Sequence, residues 1–503
     1  MRETIKRTLV LCVVLGMTCL AHGFSLLGPL PTDPNAAPTG LAAWQVVALA
    51  YDLPGDIGGP MNLGDEYRWN SPTITYAFDQ SFLIYFGQRG VDAIEEAIQI
   101  FNDLPPVSNM SADLTEFPTE NTKVNFVARD LGVRDLKSTA LTLMLEVMGL
   151  AEPERWTWTL RGRNVAGNPP VTNYSVIIRN FDPVTYAPTN RVNDAFYSYQ
   201  ILDPIPIPNY AEAVEVPLFD PQFNFSSVAG AFLLGPGELF TGLTRDDAGG
   251  WRYLFRSQNL NVETLPPTTS LVPGFAPGRP GAPGSGPWTP YIGATNIFTN
   301  VIGGIFSPWT PISGVVIPGI PGIPGISTNL TNLVINVGLR PGLEKISFVR
   351  VHFDSLLGQS FFPVTNFYTD QVISNFTLIP QFVQRTIPFP DLLFTAGDLG
   401  TVFGIPVLAA RGTTFVNNDT INGNTEAAGP GTITRPLNIS FSNILPYYFN
   451  SSSDFFLGVD PLSGPNAFNR SVVWGSFDAS SEEVVVYPDF LSIQDLEAQV
   501  LGQ

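Results

Sequence analysis

Hydrophobic positions recur with two different periods in the first half of the chain, and this predicts both strands and helices. Residues 74–78 alternate in the two-residue period of a strand. The apolar residues of 90–104 fall on one face of a helix: Val91, Ile94, Ile98, Phe101 and Leu104. Two prolines, at 105 and 106, end that helix, and residues 123–129 are predicted as a second strand. We therefore expect the order strand, helix, strand.

A second helix is predicted over residues 135–150, and its composition indicates that it is buried. Asp135 suits the N-cap position, and Gly149 lies near the C-terminal end. Apolar residues form two stripes around this helix, so most of its surface is expected to face other parts of the protein. Strand-like segments follow at residues 156–160 and 173–179.

Strand patterns dominate the second half of the chain. The candidate strands are residues 333–337, 345–353, 437–441, 472–477 and 483–487. Apolar and polar residues alternate within 437–441, as in a sheet with one face in water. We therefore expect an α+β fold. A mixed α/β N-terminal domain over residues 41–270 is followed by a β-rich, sandwich-like C-terminal region over residues 331–503, with long Gly/Pro-rich loops.

A Gly/Pro-rich segment, residues 271–330, is expected to connect these two regions. Residues 280–339 contain no Asp, Glu, Lys or Arg, and their glycine triplets are too few for a collagen helix. One interpretation is an ordered loop on the protein's own apolar surface. The other is an exposed loop for self-association or for attachment to a cell-surface polymer. Trp288 and Trp309 lie in repeated Pro-Trp-Thr-Pro sequences, where they are expected either to stack on a ligand or to pack on proline.

The first 23 residues have the pattern of a secretory signal peptide. A basic start is followed by an apolar run over residues 8–20, which is too short to span a bilayer comfortably. Small residues at the first and third positions of Ala21-His22-Gly23 suit cleavage after Gly23. A lipoprotein modified at Cys19 is the alternative. Residues 24–40 are proline-rich and are expected to form an extended lead-in.

Removal of this leader changes the residue counts that matter for chemistry. Both cysteines, at 12 and 19, and one of the two histidines lie within it. An exported chain without disulfides is typical of a bacterial periplasm, outer surface or extracellular space. Glycine, proline or asparagine interrupts every later apolar run, so we expect no integral membrane protein.

Charge and the acidic residues narrow the possible partners and reactions. The net charge of −19 becomes −21 without the leader, which argues against nucleic acid as a partner. The remaining histidine, His352, is expected on a solvated strand face, and Ser-His-Asp catalysis would require it. A glycosidase needs only two carboxylates. The adjacent acidic pairs are expected to point apart into solvent: Glu95-Glu96, Asp246-Asp247 and Glu482-Glu483.

One segment has a weak calcium-binding pattern. Its oxygen-bearing side chains are Asn418, Asp419, Asn422 and Glu426. The carboxylates are too few for tight binding, and an Asn-Gly turn accounts for the same residues. No other cofactor is expected.

The order strand, helix, strand, buried helix over residues 72–155 resembles the start of a metzincin, or matrixin-like, zinc protease domain. That family carries H-E-x-x-H-x-x-G-x-x-H on its active helix. With Gly149 matched to the family glycine, the resemblance places the zinc ligands at Thr142, Glu146 and Glu152 and the base at Leu143. None of these residues is histidine, so the resemblance implies either a scaffold without its chemistry or a likeness confined to two helices and two strands.

The sequence therefore favours an exported non-catalytic protein of the bacterial envelope or cell surface, with a structural or binding role. The chain as a whole resembles exported bacterial proteins of unknown function, and this likeness implies no activity. The alternative is a secreted hydrolase, either a divergent metzincin-like peptidase or a carboxylate-based glycosidase. No catalytic residue is assigned, and enzymatic activity stays an open question.

Overall fold

The structure is a computed structural model. It describes most of the chain, but not the leader or several long segments after it. The described residues are 23–28, 62–202, 212–217, 227–229, 234–271, 337–374, 377–402, 405–417, 430–443, 473–480 and 484–488. Several predicted features lie outside them, namely Trp288, Trp309, the pair Glu482-Glu483 and the calcium candidates Asn418, Asp419, Asn422 and Glu426.

The described helices are α1 Gln80–Asp103, α2 Phe126–Asp130, α3 Leu136–Val147 and α4 Arg245–Phe255, with a short 3-10 turn at Val107–Asn109. Helix α1 begins ten residues before the predicted helix, because Asp79 caps it by accepting a hydrogen bond from the Ser81 amide. Its backbone breaks at Gly87, where φ is 59°. Helix α3 lies within the predicted residues 135–150, and Asp135 is its N-cap as predicted.

Short strands fill much of the rest of the described chain. Those before residue 272 are β1 Phe24–Leu26, β2 Tyr67–Arg68, β3 Thr73–Phe78, β4 Thr122–Val124, β5 Val133–Asp135, β6 Leu150–Ala151, β7 Thr159–Ala166, β8 Val171–Ile177, β9 Asn180–Phe181, β10 Arg191–Val192, β11 Ala195–Leu202, β12 Glu212–Pro217, β13 Glu238–Phe240, β14 Asn261–Thr264 and β15 Thr269–Leu271. Those after residue 336 are β16 Val337–Arg340, β17 Ser347–Arg350, β18 Phe353–Asp354, β19 Gln359–Ser360, β20 Val364–Ser374, β21 Thr377–Ile387, β22 Leu392–Gly397, β23 Thr401–Val402, β24 Ile405–Pro406, β25 Ala409–Asn417, β26 Gly431–Ser442, β27 Val473–Phe477 and β28 Val484–Val486. The fold is mixed α+β, as predicted.

A central, mainly parallel sheet organises the molecule. Its order is β17-β3-β22-β26-β2, and β25 pairs with β26 antiparallel. Strands from both sides of residues 272–336 therefore share this sheet. A second sheet, β14-β16-β20-β21-β15, is antiparallel and also joins the two parts of the chain. The predicted domain boundaries remain a prediction.

Helices α1 and α3 pack against each other and cover one face of the central sheet. The core there is aromatic. The ring centroids are 5.4 Å apart in the stacked pair Phe78–Phe394 and 4.7 Å apart in the tilted pair Phe82–Phe86. All four rings are buried, so water is excluded from this face of the sheet. Burial of this apolar area is the main favourable contribution to folding.

Buried ion pairs line the contact between the central sheet and the antiparallel sheet. Arg385 donates to Asp391 at 2.5 Å, and Arg435 lies 3.2 Å from the same carboxylate. Burial raises the pKa of Asp391, but the two guanidinium groups outweigh this and hold its pKa below the usual value. A second pair joins Arg68 to Glu263 at 2.5 Å. This polar contact between sheets differs from the apolar interior expected of a sandwich.

Two local predictions were wrong. Residues 123–129 are not one strand, because β4 ends at Val124 and helix α2 follows, capped by the Asn125 side chain. The predicted strand 345–353 is also too long, because β17 ends at Arg350 and His352 lies outside any strand. None of the helices in the described part of the chain is long and apolar enough to cross a membrane.

Candidate functional site

Helix α3 carries the positions that the sequence resemblance singled out, and its start is fixed by a buried carboxylate. The Asp135 side chain accepts hydrogen bonds from the Ser138 amide at 2.9 Å and the Ser138 hydroxyl at 2.5 Å. Ser138 in turn accepts the Phe240 amide at 2.8 Å. Burial raises the pKa of Asp135 to about 6, although the Ser138 hydrogen bonds oppose that rise. The helix is therefore tied to strand β13 through its first turn.

The degenerate zinc positions lie along the same helix and its exit. Thr142 and Glu146 are one turn apart and both are buried, while Glu152 is half-buried beyond Gly149. Leu143, at the position of the family base, is fully buried in the apolar core. Among the described residues, no group of three or more His, Cys, Asp and Glu side chains could hold a metal ion.

Glu146 forms an ion pair with Arg411 of strand β25. The Glu146 Oε2 and Arg411 Nη1 atoms are 2.9 Å apart, and the two side chains are only 6% and 2% exposed. Because an unpaired charge is costly to bury, the carboxylate and the guanidinium compensate each other in this buried position. The pair therefore fastens α3 to the edge of the central sheet.

Thr142 takes part in a second buried arrangement, which holds the short segment 227–229. The Thr142 hydroxyl donates to the Val228 carbonyl at 2.9 Å. Glu154 accepts both the amide and the hydroxyl of Ser227 at 2.9 Å. Asp247 accepts the amides of Val228 and Ala229 at 3.1 and 3.0 Å. Side chains from three parts of the chain thus satisfy the backbone of this segment, which lies against α3.

Asp246 and Asp247 are buried at the start of α4, so the expectation that they lie in solvent was wrong. Asp247 forms a capping box with Thr244, and their side-chain oxygens are 2.5 Å apart. Asp246 accepts the Asn193 amide at 2.6 Å. The two carboxylates accept hydrogen bonds from different groups. The pattern Thr-x-x-Asp was the signal in the sequence that could have predicted this helix start.

An exposed apolar surface lies at a hairpin formed by β18 and β19. We call it the apolar hairpin surface, and it consists of Leu356, Leu357, Phe361, Phe362 and Phe389. Leu356 and Phe362 are 91% and 78% exposed. Asp354 fixes the turn by accepting the amides of Leu356 and Leu357 at 2.9 and 3.1 Å. The Ser360 amide donates to the Pro388 carbonyl at 2.9 Å, which holds Phe389 beside the hairpin.

Sequence reasoning missed this surface, although Leu-Leu-Gly and Phe-Phe close together without a charge between them was a usable signal. Of the other sequence candidates, His352 lies beside this surface, because its backbone carbonyl accepts the Phe361 amide at 3.1 Å. Glu95 contacts Arg350 at 2.8 Å, whereas Glu96 contacts Lys137 at 3.2 Å, so this pair points apart as expected. His352 is exposed.

Comparisons with protein-family models, with curated proteins and with solved structures find no match to this chain. The features that bear on function are therefore the geometry of α3, the segment 227–229 and the apolar hairpin surface.

Proposed function

We propose that the chain is an exported, non-catalytic protein of the bacterial envelope or cell surface, with a structural and binding role. The observation that carries this proposal is the buried pair between Glu146 and Arg411. A carboxylate that neutralises a buried guanidinium is poorly placed to bind zinc or to act as a base. Thr142 is likewise engaged by the Val228 carbonyl. Both side chains therefore support the fold.

The apolar hairpin surface supports a binding role. Isolated exposed apolar side chains are ordinary, but a group of five large ones on and beside one hairpin is typical of a contact surface. Because the Asp354 carboxylate is engaged with the turn amides, the tip of the hairpin presents leucine side chains.

The proposed occupant of this surface is a second copy of the chain. Its residues are Leu and Phe, which suit the apolar core of a protein interface. Binding to a carbohydrate would call for polar groups placed among the rings. A symmetric dimer brings the same patch of both subunits together, so one patch suffices for both sides. Attachment to a cell-surface polymer is then an alternative outcome of the test.

Chemical cross-linking on intact cells with mass spectrometry tests location and partner together. We expect cross-links between copies of the chain that disappear in the variant L356S/F362S. The matched control is Phe126→Ser, because Phe126 is 70% exposed on α2, outside this surface. Cross-links that persist unchanged in L356S/F362S contradict the binding surface, and cross-links to a polymer alone contradict self-association.

A hydrolysis panel tests the non-catalytic part. Purified chain is expected to leave both protein and glycan substrates intact. Cleavage that is lost in E146Q would instead support the divergent hydrolase considered from the sequence.

A further inference from the structure

Residues 23–28 form a buried strand segment that begins where the leader is predicted to end. Strand β1 lies between β6 and β9 in a small antiparallel sheet. The Phe24 ring is 2% exposed and packs 5.5 Å from Tyr253 and 6.2 Å from Phe181. Residues 24–28, the first after the predicted cleavage site, are therefore buried in the core, whereas residues 29–40 of the predicted lead-in lie outside the described residues.

Gly23 is tightly enclosed at the start of this segment. A Cβ atom placed there would lie 2.0 Å from Asn180 Nδ2 and 2.5 Å from the Arg191 carbonyl oxygen, so only glycine fits. The Gly23 backbone N–H donates a hydrogen bond to the carboxylate of Asp246, which is fully buried at the start of α4. A backbone nitrogen at the leader boundary thus faces a buried acid.

The surroundings of Asp246 favour a positive charge. Burial is the largest cause that raises the pKa of Asp246, and the nearby Asp247 and Glu154 carboxylates raise it further. Hydrogen bonds from the Gly23 and Asn193 amides oppose this rise. Amide dipoles stabilise a carboxylate less than a full positive charge does. A cation brought to this position would gain from all three acids.

We propose that signal-peptide removal creates an α-ammonium group at the start of β1 and that this group pairs with the buried carboxylate of Asp246. A signal peptidase adds water across the Gly23–Phe24 peptide bond. Gly23 leaves with a carboxylate, and Phe24 keeps the nitrogen, which takes up a proton because an α-amino group has a pKa of about 8. Consecutive residues are roughly 3.8 Å apart, so the Phe24 nitrogen lies about one residue from the Gly23 nitrogen, and the pairing requires the free end of β1 to move into the space that Gly23 vacates.

This pairing rests on the export proposed above, and it makes processing a step that completes the core. In the unprocessed chain the Phe24 nitrogen belongs to the Gly23–Phe24 peptide bond and carries no charge, so the ion pair with Asp246 cannot form. The processed chain is therefore expected to be the more stable form.

The first measurement is the intact mass of the exported protein. A chain that starts at Phe24, or at Gly23, supports the proposal. A retained leader contradicts both export and the pairing. A start beyond Phe24 contradicts the pairing alone.

The second measurement is acetylation of the N-terminal amine by an N-hydroxysuccinimide ester, quantified by mass spectrometry. In the folded protein we expect labelling at least about tenfold slower than in the same protein unfolded in urea, because a paired buried amine reacts only on local opening. Equal rates overturn the proposal without affecting export. This comparison uses only the wild-type chain.

Two variants sharpen the result. Asp246→Asn is expected to raise the labelling rate about tenfold, whereas Glu120→Gln, at an exposed acid, leaves it unchanged. A chain extended by two glycines before Phe24 separates the amine from Asp246 without altering the acid, and it keeps a residue that fits at position 23. It is expected to unfold several degrees below the chain that starts at Phe24, and an unchanged unfolding temperature contradicts the pairing.

Discussion

Replacement of Arg411 by methionine tests the buried pair on which the proposed function depends. The variant keeps most of the side-chain volume and leaves Glu146 buried without its guanidinium, 2.9 Å away in the wild type. Removing one partner of a buried pair destabilises proteins by about 3–5 kcal/mol. Glu146 can instead take up a proton, which at pH 7 costs an ordinary glutamate about 3–4 kcal/mol. The expected loss in free energy of unfolding is therefore about 3–4 kcal/mol at pH 7.

The pH dependence makes this prediction specific. At pH 5 protonation of an ordinary glutamate costs only about 1 kcal/mol, so the penalty of R411M relative to wild type shrinks towards that value. Urea unfolding followed by tryptophan fluorescence, at pH 7 and pH 5, measures both numbers. The double variant E146M/R411M is expected to recover most of the loss, because two apolar side chains need no partner.

A surface pair provides the matched control. Lys137 and Glu96 are 3.2 Å apart, but their side chains are 20% and 66% exposed, so Lys137→Met is expected to cost at most about 1 kcal/mol. Three results would contradict this prediction. The first is an R411M protein whose free energy of unfolding lies within about 0.5 kcal/mol of wild type, the usual effect of a neutral surface change. The others are an equal loss at pH 7 and pH 5, and a double variant that is less stable than R411M.

Three further predictions concern buried groups elsewhere. The pKa of Asp135 is raised to about 6, so its ionisation destabilises the wild-type fold as pH rises from 4 to 6. Asn cannot ionise, so the free energy of unfolding of Asp135→Asn relative to wild type is expected to rise by about 3 kcal/mol over that range, as measured by urea unfolding. Asp391→Asn leaves two buried guanidinium groups without their carboxylate and is expected to lower the free energy of unfolding by about 3–5 kcal/mol. Since the pKa of Asp391 is lowered, the wild type loses this stabilisation only as pH falls below about 4. An unchanged denaturation midpoint of the variant at pH 7 contradicts the stabilising role of this carboxylate. Gly149→Ala forces a side chain into a backbone with φ of 109° and within 2.4 Å of the Tyr67 carbonyl oxygen, so we expect a loss of about 2 kcal/mol or more in thermal denaturation, and a neutral effect is incompatible with the described turn.

The local elements were largely predictable from the sequence because they depend on short-range patterns. Helix α3 and its cap at Asp135, and strands β3, β26 and β27, follow from periodicity and capping residues that lie within a few positions of each other. Helix α2 was missed because the Asn125 side chain, which caps it, sits within an apparent strand pattern.

The candidate site was less predictable because its contacts join distant parts of the chain. Arg411 lies far from Glu146 in sequence, and no local pattern indicates that an edge strand would bring its guanidinium under α3. The burial of Asp246 likewise depends on residues 23–28 and on Asn193, which the sequence gives no reason to associate. The pairing of β25 with β26 places Arg411 on the central sheet, and the pairing of β1 with β6 and β9 holds residues 23–28 in the core.

The central claim is that Glu146 serves Arg411 and not a metal ion. Metal analysis of the purified, dialysed chain by inductively coupled plasma mass spectrometry tests it most directly, with E146Q measured in parallel. We predict no stoichiometric zinc or other transition metal in either protein. One equivalent of metal per wild-type chain, lost in E146Q, would contradict the claim and favour the hydrolase alternative.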